Sequence, residues 1–245
     1  MNKWILIRDL AIVFLLLAGM VALWQVFKER GSDWAPIRHV RIEGVFQYLT
    51  RDELKQALQQ PVSKGFYHAD LDSIKQAVQA LPWVDQVSVE RVWPDAIKIR
   101  VTEQQPVARW QNNALLNNRG ELFKPDNVAE FAALPLITGP EGQQQALLEI
   151  MKGLRFSLAD KGMILQEFHV DNRRAWKIRL VSGMEIKLGR QTQLENMQRF
   201  LKTVDVVGEE LIALMAIVDL RYPNGYAVTW KSPEWKSIIE KKKRA

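Results

Sequence analysis

The spacing of apolar residues takes three forms along this chain: unbroken, every second position, and every third or fourth. The unbroken form comes first. From Leu10 to Trp24 the sequence reads LAIVFLLLAGMVALW, Gln25, Val26 and Phe27 extend it, and Lys28, Glu29 and Arg30 end it. As a helix, residues 10–27 would rise about 27 Å, close to the hydrocarbon thickness of a bilayer. The run predicts a transmembrane helix, preceded by a short tail (1–9) and followed by a spacer (28–36). Trp4 and Trp24 stand near its ends, where indoles favour the headgroup region. A cleaved signal peptide fits less well, because Trp24-Gln25-Val26-Phe27 offers no small-x-small cleavage site.

Residues 37–105 then combine the two amphipathic periods. Val40 and Ile42 alternate with His39 and Arg41 in a strand that ends at Gly44. Thr50-Arg-Asp-Glu53 has capping-box spacing before a helix with Leu54, Ala57 and Leu58 on one face, and Pro61 stops it. Asp70 can cap a second helix carrying Leu71, Ile74, Val78 and Leu81, closed by Pro82. Two strands follow, Val87 and Val89 before the Trp93-Pro94-Asp95 turn and Ile97, Ile99 and Val101 after it. Each element has a single apolar side, so the pattern predicts a β-α-α-β-β unit, a three-stranded sheet with two helices on one face.

Residues 106–232 read as a second domain. A strand begins at Val107-Ala-Arg-Trp110, turns fall at Asn112-Asn113 and Asn117–Gly120, and a helix runs from about Gln143 to Leu158. Strand patterns recur at Ile164–Val170, at Trp176, Ile178 and Leu180, and at Met184, Ile186 and Leu188. A helix around Leu194–Val204 precedes the last two strands, Ile217–Tyr222 and Tyr226–Trp230, joined by a Pro223-Asn224-Gly225 turn. The class is α+β: a membrane helix, the small unit, then a mixed or antiparallel sheet with two helices, several strands having one wet face.

Composition changes this picture little. Of the net charge of +6, most sits at the end of a basic tail (233–245), in the last ten residues, where Lys236, Lys241, Lys242, Lys243 and Arg244 oppose Glu240; elsewhere the two signs alternate, which argues against nucleic acid. Such a tail is soluble, and could also touch anionic lipid. Charges flank both ends of the apolar run (Lys3 and Arg8, then Lys28, Arg30, Arg38 and Arg41), so they do not set its orientation. With no cysteine there is no disulfide, thiolate catalysis or cysteine zinc site. No phosphate-binding glycine loop, G-x-S-x-G or H-E-x-x-H occurs, and His39, His68 and His169 lack ligand spacing. Asp70-x-Asp72 lacks the glycine of a calcium loop and reads as a helix start, while Trp83 and Trp93 read as packing residues. No catalytic residue, cofactor or metal is expected.

Several blocks resemble one family, FtsQ/DivIB of the bacterial division machinery. They are Ile37–Gly44, Ala69-Asp-Leu71, the long Leu81-Pro-Trp83-Val84 through Val89-Glu-Arg91-Val-Trp93-Pro94 to Val101–Trp110, Asn118–Phe123, Leu134-Pro-Leu136 with Gly139–Gly142, and Val218–Tyr222 with Gly225, Ala227, Val228 and Trp230. The match covers nearly the whole chain; the very short first tail, Pro223-Asn224 and the basic C-terminus depart from it. The resemblance implies that residues 37–105 form a POTRA domain and that the protein is non-catalytic. It implies a single-pass protein of the inner membrane at the division septum, with its N-terminus cytoplasmic and both domains periplasmic. It also implies partners: FtsB and FtsL in a trimeric complex, with FtsW, FtsI, FtsK and FtsN as further contacts. In the family the last strand receives a partner strand; Tyr222, Gly225 and Trp230 match residues of that contact, and Asn224 lies at a small polar position there. Tyr226 and Val228 are candidates from the edge-strand reading, and Tyr222 and Trp230 also read as core aromatics. Edge-strand chemistry agrees, since unpaired main-chain groups and rigid aromatics are what strand addition uses. The rival readings are a POTRA-bearing component of transport or outer-membrane assembly, and a membrane-anchored cell-wall enzyme.

Overall fold

A computed structural model describes residues 14–22, 24–25, 37–111 and 113–244, and the chain divides into two compact units between Gln104 and Gln105. The membrane helix expected over 10–27 is corrected. Its described residues are helical at 14–22 and 24–25, yet among the described residues no helix is long and apolar enough to cross a membrane. The expectation rests on hydropathy alone. The single-pass inner-membrane placement that depended on it is corrected with it. The rest of the run lies outside the described residues.

The first unit follows the predicted order: β1 (His39–Glu43), α1 (Arg51–Leu58), a 3-10 turn (Pro61–Lys64), α2 (Leu71–Gln79), β2 (Val84–Val92) and β3 (Ala96–Glu103). The sheet order is β1-β3-β2, with β1 parallel and β2 antiparallel to β3. Thr50 and Glu53 close a full capping box at α1, and the Asp70 carboxylate accepts from the Asp72 N–H at α2. Leu54, Ile74, Val78, Ile97, Ile99 and Phe66 are buried between helices and sheet. The other face carries ion pairs, Glu43 with Lys98 and Arg100, and Arg100 with Glu90. The β1–α1 loop is held by one side chain: the Glu103 carboxylate accepts from the N–H groups of Gln47, Tyr48 and Leu49 at 2.8, 2.7 and 2.5 Å. Gly44 opens that loop, and an added Cβ would stand 2.5 Å from the Val101 carbonyl. Trp83 is buried and stacks on Tyr48, as its packing role requires. Trp93 is 65% exposed, meeting Phe66 and Tyr67 edge-on, so it packs only in part.

The second unit is a nine-stranded mixed sheet ordered β12-β11-β10-β9-β8-β7-β4-β5-β6. Its strands are β4 (Pro106–Trp110), β5 (Ala114–Asn117), β6 (Leu122–Phe123), β7 (Leu136–Thr138), β8 (Leu165–Val170), β9 (Trp176–Leu180), β10 (Glu185–Gly189), β11 (Met215–Asp219) and β12 (Ala227–Trp230). Two long helices, α3 (Gln144–Ala159) and α4 (Gln193–Val207), supply Leu148, Met151, Phe200 and Val204 to one core with Phe168, Ile178, Ile186 and Val218 of the strands. The opposite face is polar, with Arg179 bridging Glu167 and Glu185 across three strands. A short α5 (Glu209–Ala213) completes the crossover from β10 to its parallel neighbour β11. Within the segment read as a basic tail, one helix forms, α6 (Trp235–Arg244).

Candidate functional site: the open edge of the second sheet

β12 ends the sheet: its ladder partner is β11, antiparallel, with Val218 opposite Val228 and Asp219 opposite Ala227. Side chains alternate along it. Tyr226, Val228 and Trp230 are half-buried against the core, whereas Ala227 and Thr229 are exposed. The Tyr226 ring meets Phe200 edge-on at 5.8 Å, and its hydroxyl lies 3.0 Å from the Thr203 hydroxyl of α4. Main-chain direction alternates too. The Lys231 N–H donates to the Leu214 carbonyl at 2.8 Å, so the same two-residue period turns Thr229 and Ala227 toward β11. The N–H and C=O of Val228 and Trp230 therefore face the open side.

The loop that leads into β12 is organised from α4. Arg199 donates through Nη1 to the Pro223 carbonyl at 2.6 Å and through Nη2 to the carbonyls of Tyr222 and Gly225 at 3.0 and 3.4 Å. Nη2 also reaches Asn196 Oδ1 at 3.2 Å, while the buried Nε has no partner. Tyr222 is 53% exposed on this loop, and Asn224 is exposed at its tip. Beside them lies a groove of about 680 Å³ whose lining includes Asp171, Arg173, Arg190, Asn196, Arg221 and Tyr222. Arg221 is already paired, Nε and Nη2 donating to the Asp219 carboxylate at 2.8 and 2.5 Å. That bond holds the Asp219 carboxyl below its usual range and raises the Arg221 guanidinium above its own. The stem of Arg221 crosses Gly189, whose φ of +76° favours glycine and where an added Cβ would stand 3.0 Å from Arg221 Cγ.

Of the six residues singled out from the sequence, all lie on this loop and strand. They do not share one face. Tyr222 and Asn224 are exposed, Tyr226, Val228 and Trp230 turn toward the core, and Gly225 stands in open space, where an added Cβ would meet nothing within 4 Å. Sequence reasoning missed Arg199 and the Asp219–Arg221 pair. An i, i+2 acid–base pair at a strand end was the available signal for the second; none existed for the first, 24 positions from Pro223. Acidic groups elsewhere on the sheet have structural employment. Asp171 Oδ1 accepts from the N–H groups of Arg173 and Ala175 in the β8–β9 turn, and Glu167 pairs with Arg179. Among the described residues no group of three His, Asp or Glu is placed to hold a metal.

A β-α-α-β-β unit joined to a mixed sheet with an open terminal strand defines a class of binding protein that works through main-chain edges. Residues 35–104 match the family model for the FtsQ-type POTRA domain, and residues 108–221 match that for the C-terminal part of cell division protein FtsQ/DivIB. The chain belongs to the FtsQ/DivIB family. A cell division protein FtsQ of Methylomonas methanica is 55% identical over 235 residues, 94% of either chain. Those of a Thioalkalivibrio species and of Shewanella oneidensis are 33% and 34% identical, over 88% and 83% of this chain and 92% and 78% of theirs. The protein is thus a non-catalytic component of the division machinery, with a POTRA domain and a C-terminal sheet able to add a partner strand.

Proposed function

We propose that β12 accepts a strand from a partner division protein, and that this partner is FtsB, held in one complex with FtsL. The reading is carried by the place of β12 at the end of its sheet, with the Val228 and Trp230 main-chain groups on the open side. Strand addition draws affinity from such groups and specificity from alternate side chains. Exposed Tyr222 adds a large rigid anchor, and the open space at Gly225 leaves room for a close approach. The arginines of the adjoining groove suit an acidic side chain of the incoming segment.

The test is binding of the full chain to a co-expressed FtsB–FtsL pair. Val228→Pro removes an outward donor and places the ring on the open side, so it should abolish capture with little change in melting. Ala227→Pro, facing β11, should instead lower stability. Tyr222→Ala should cost more than about 2 kcal/mol of binding without altering the domain's own melting temperature. Undiminished capture by Val228→Pro would overturn the strand-addition reading.

A further inference from the structure

The edge strand itself is uncharged from Tyr226 to Trp230, so any charge recognition must come from what flanks it. At the loop end that role falls to the arginine-lined groove. At the other end stands α6. Its first residue, Trp235, stacks on Trp230 of β12, with centroids 5.1 Å apart and planes 13° from parallel. The connection is tied down by Lys231, whose Nζ donates to the Ser182 and Ala213 carbonyls at 3.1 and 3.0 Å. Trp235, Ile238 and Ile239 are half-buried, whereas Lys236 and Lys241 are exposed, Lys236 lying 5.9 Å over the Trp235 ring. The last ten residues carry five bases against one acid. A tail that only confers solubility has no need of an aromatic stack onto the terminal strand.

We propose that α6 is the second part of the docking surface, and that it receives an acidic stretch of the partner continuing past the paired strand. This rests on the strand-addition reading. A segment lying along the open side of β12 and leaving it at Trp230 meets α6, because the two tryptophans bring the helix start to that point. Trp235, Ile238 and Ile239 are turned inward and Lys236 and Lys241 outward, so the arriving chain encounters cationic surface. Carboxylates on the partner satisfy it, and they also select against a partner of the wrong charge. The fitting occupant is a strand of alternating apolar residues with acidic residues at its ends.

The full chain, the double variant Lys236→Glu with Lys241→Glu, and Val228→Pro are each titrated with the same FtsB–FtsL pair, at low and high salt. Both lysines are exposed, so the double variant should melt as the parent does. It should bind about tenfold more weakly at low salt, and the difference should vanish at high salt, as screening of exposed charges demands. Equal affinity for parent and double variant, with Val228→Pro still inactive, overturns the role of α6 and leaves strand addition standing. No binding by the parent overturns both. Retention on phosphatidylglycerol vesicles is measured alongside: loss of retention in the double variant with unchanged partner affinity assigns the helix to lipid and overturns the proposal.

Discussion

Arg199 does the most with a single side chain. It holds the carbonyls of Tyr222, Pro223 and Gly225, and so fixes the loop that presents Tyr222. Arg199→Met keeps the stem and removes every donor. Because the substitution also removes a buried, unpartnered Nε, the loss of stability should be small, about 1 kcal/mol by thermal melting. Partner affinity should fall by a larger factor, about tenfold by titration. An affinity loss no larger than the stability loss would reduce Arg199 to a packing residue. The Asp219–Arg221 pair gives a pH prediction. Hydrogen bonding to Arg221 depresses the carboxyl in the folded state, so its stabilisation is complete above the unfolded value, about pH 4. It is lost as pH falls through the depressed folded value. Asp219→Asn should therefore lower the melting temperature at pH 7, and the gap from the parent should close as the solution is acidified below about pH 4. A gap of constant size down to pH 2 would show that the charge is not what matters.

At the scale of elements, what sequence made legible was periodic. Asp70 and the Ile74–Val78 stripe marked α2, and the alternation through Ile97, Ile99 and Val101 marked β3, because burial on one side imposes both patterns. β5, β6 and β7 are two to four residues long, too short to repeat an alternation, and β5 is buried throughout. α6 was hidden for another reason: its lysines outweigh the half-buried Trp235, Ile238 and Ile239, so composition read as tail. The edge position of β12 is non-local. It depends on α4 and α5 carrying the chain from β10 to a parallel β11, which no window of residues reveals. Glu103 is a similar case, ending β3 while ordering a loop more than fifty positions earlier. Glu103→Ala should leave three N–H groups without their acceptor and destabilise the first unit by about 2 kcal/mol, read from denaturant unfolding of that unit. A change within about 0.5 kcal/mol would mean that water replaces the carboxylate freely.

Over the whole molecule, two units with separate cores and separate sheets account for the described residues after 37. Each should fold alone: fragments 37–104 and 105–245 should each unfold in one cooperative transition by calorimetry. A fragment lacking such a transition would show that its core needs the rest of the chain. The family blocks cover the folded elements of both units, which is why the resemblance could be found from sequence while the apolar run at 10–27 misled. A stretch of hydropathy carries no tertiary information, whereas Leu81 to Trp110 spans a complete hairpin and the start of the next sheet.

The far end of the second sheet has a consequence of its own. β6 consists of Leu122 and Phe123 alone, so that rim offers almost no ladder for another chain to copy. Growth of this sheet is then confined to the β12 end, which a single added strand occupies. Two copies cannot extend one another indefinitely, and stacking into fibrils, the ordinary hazard of a wide sheet, stops after one step.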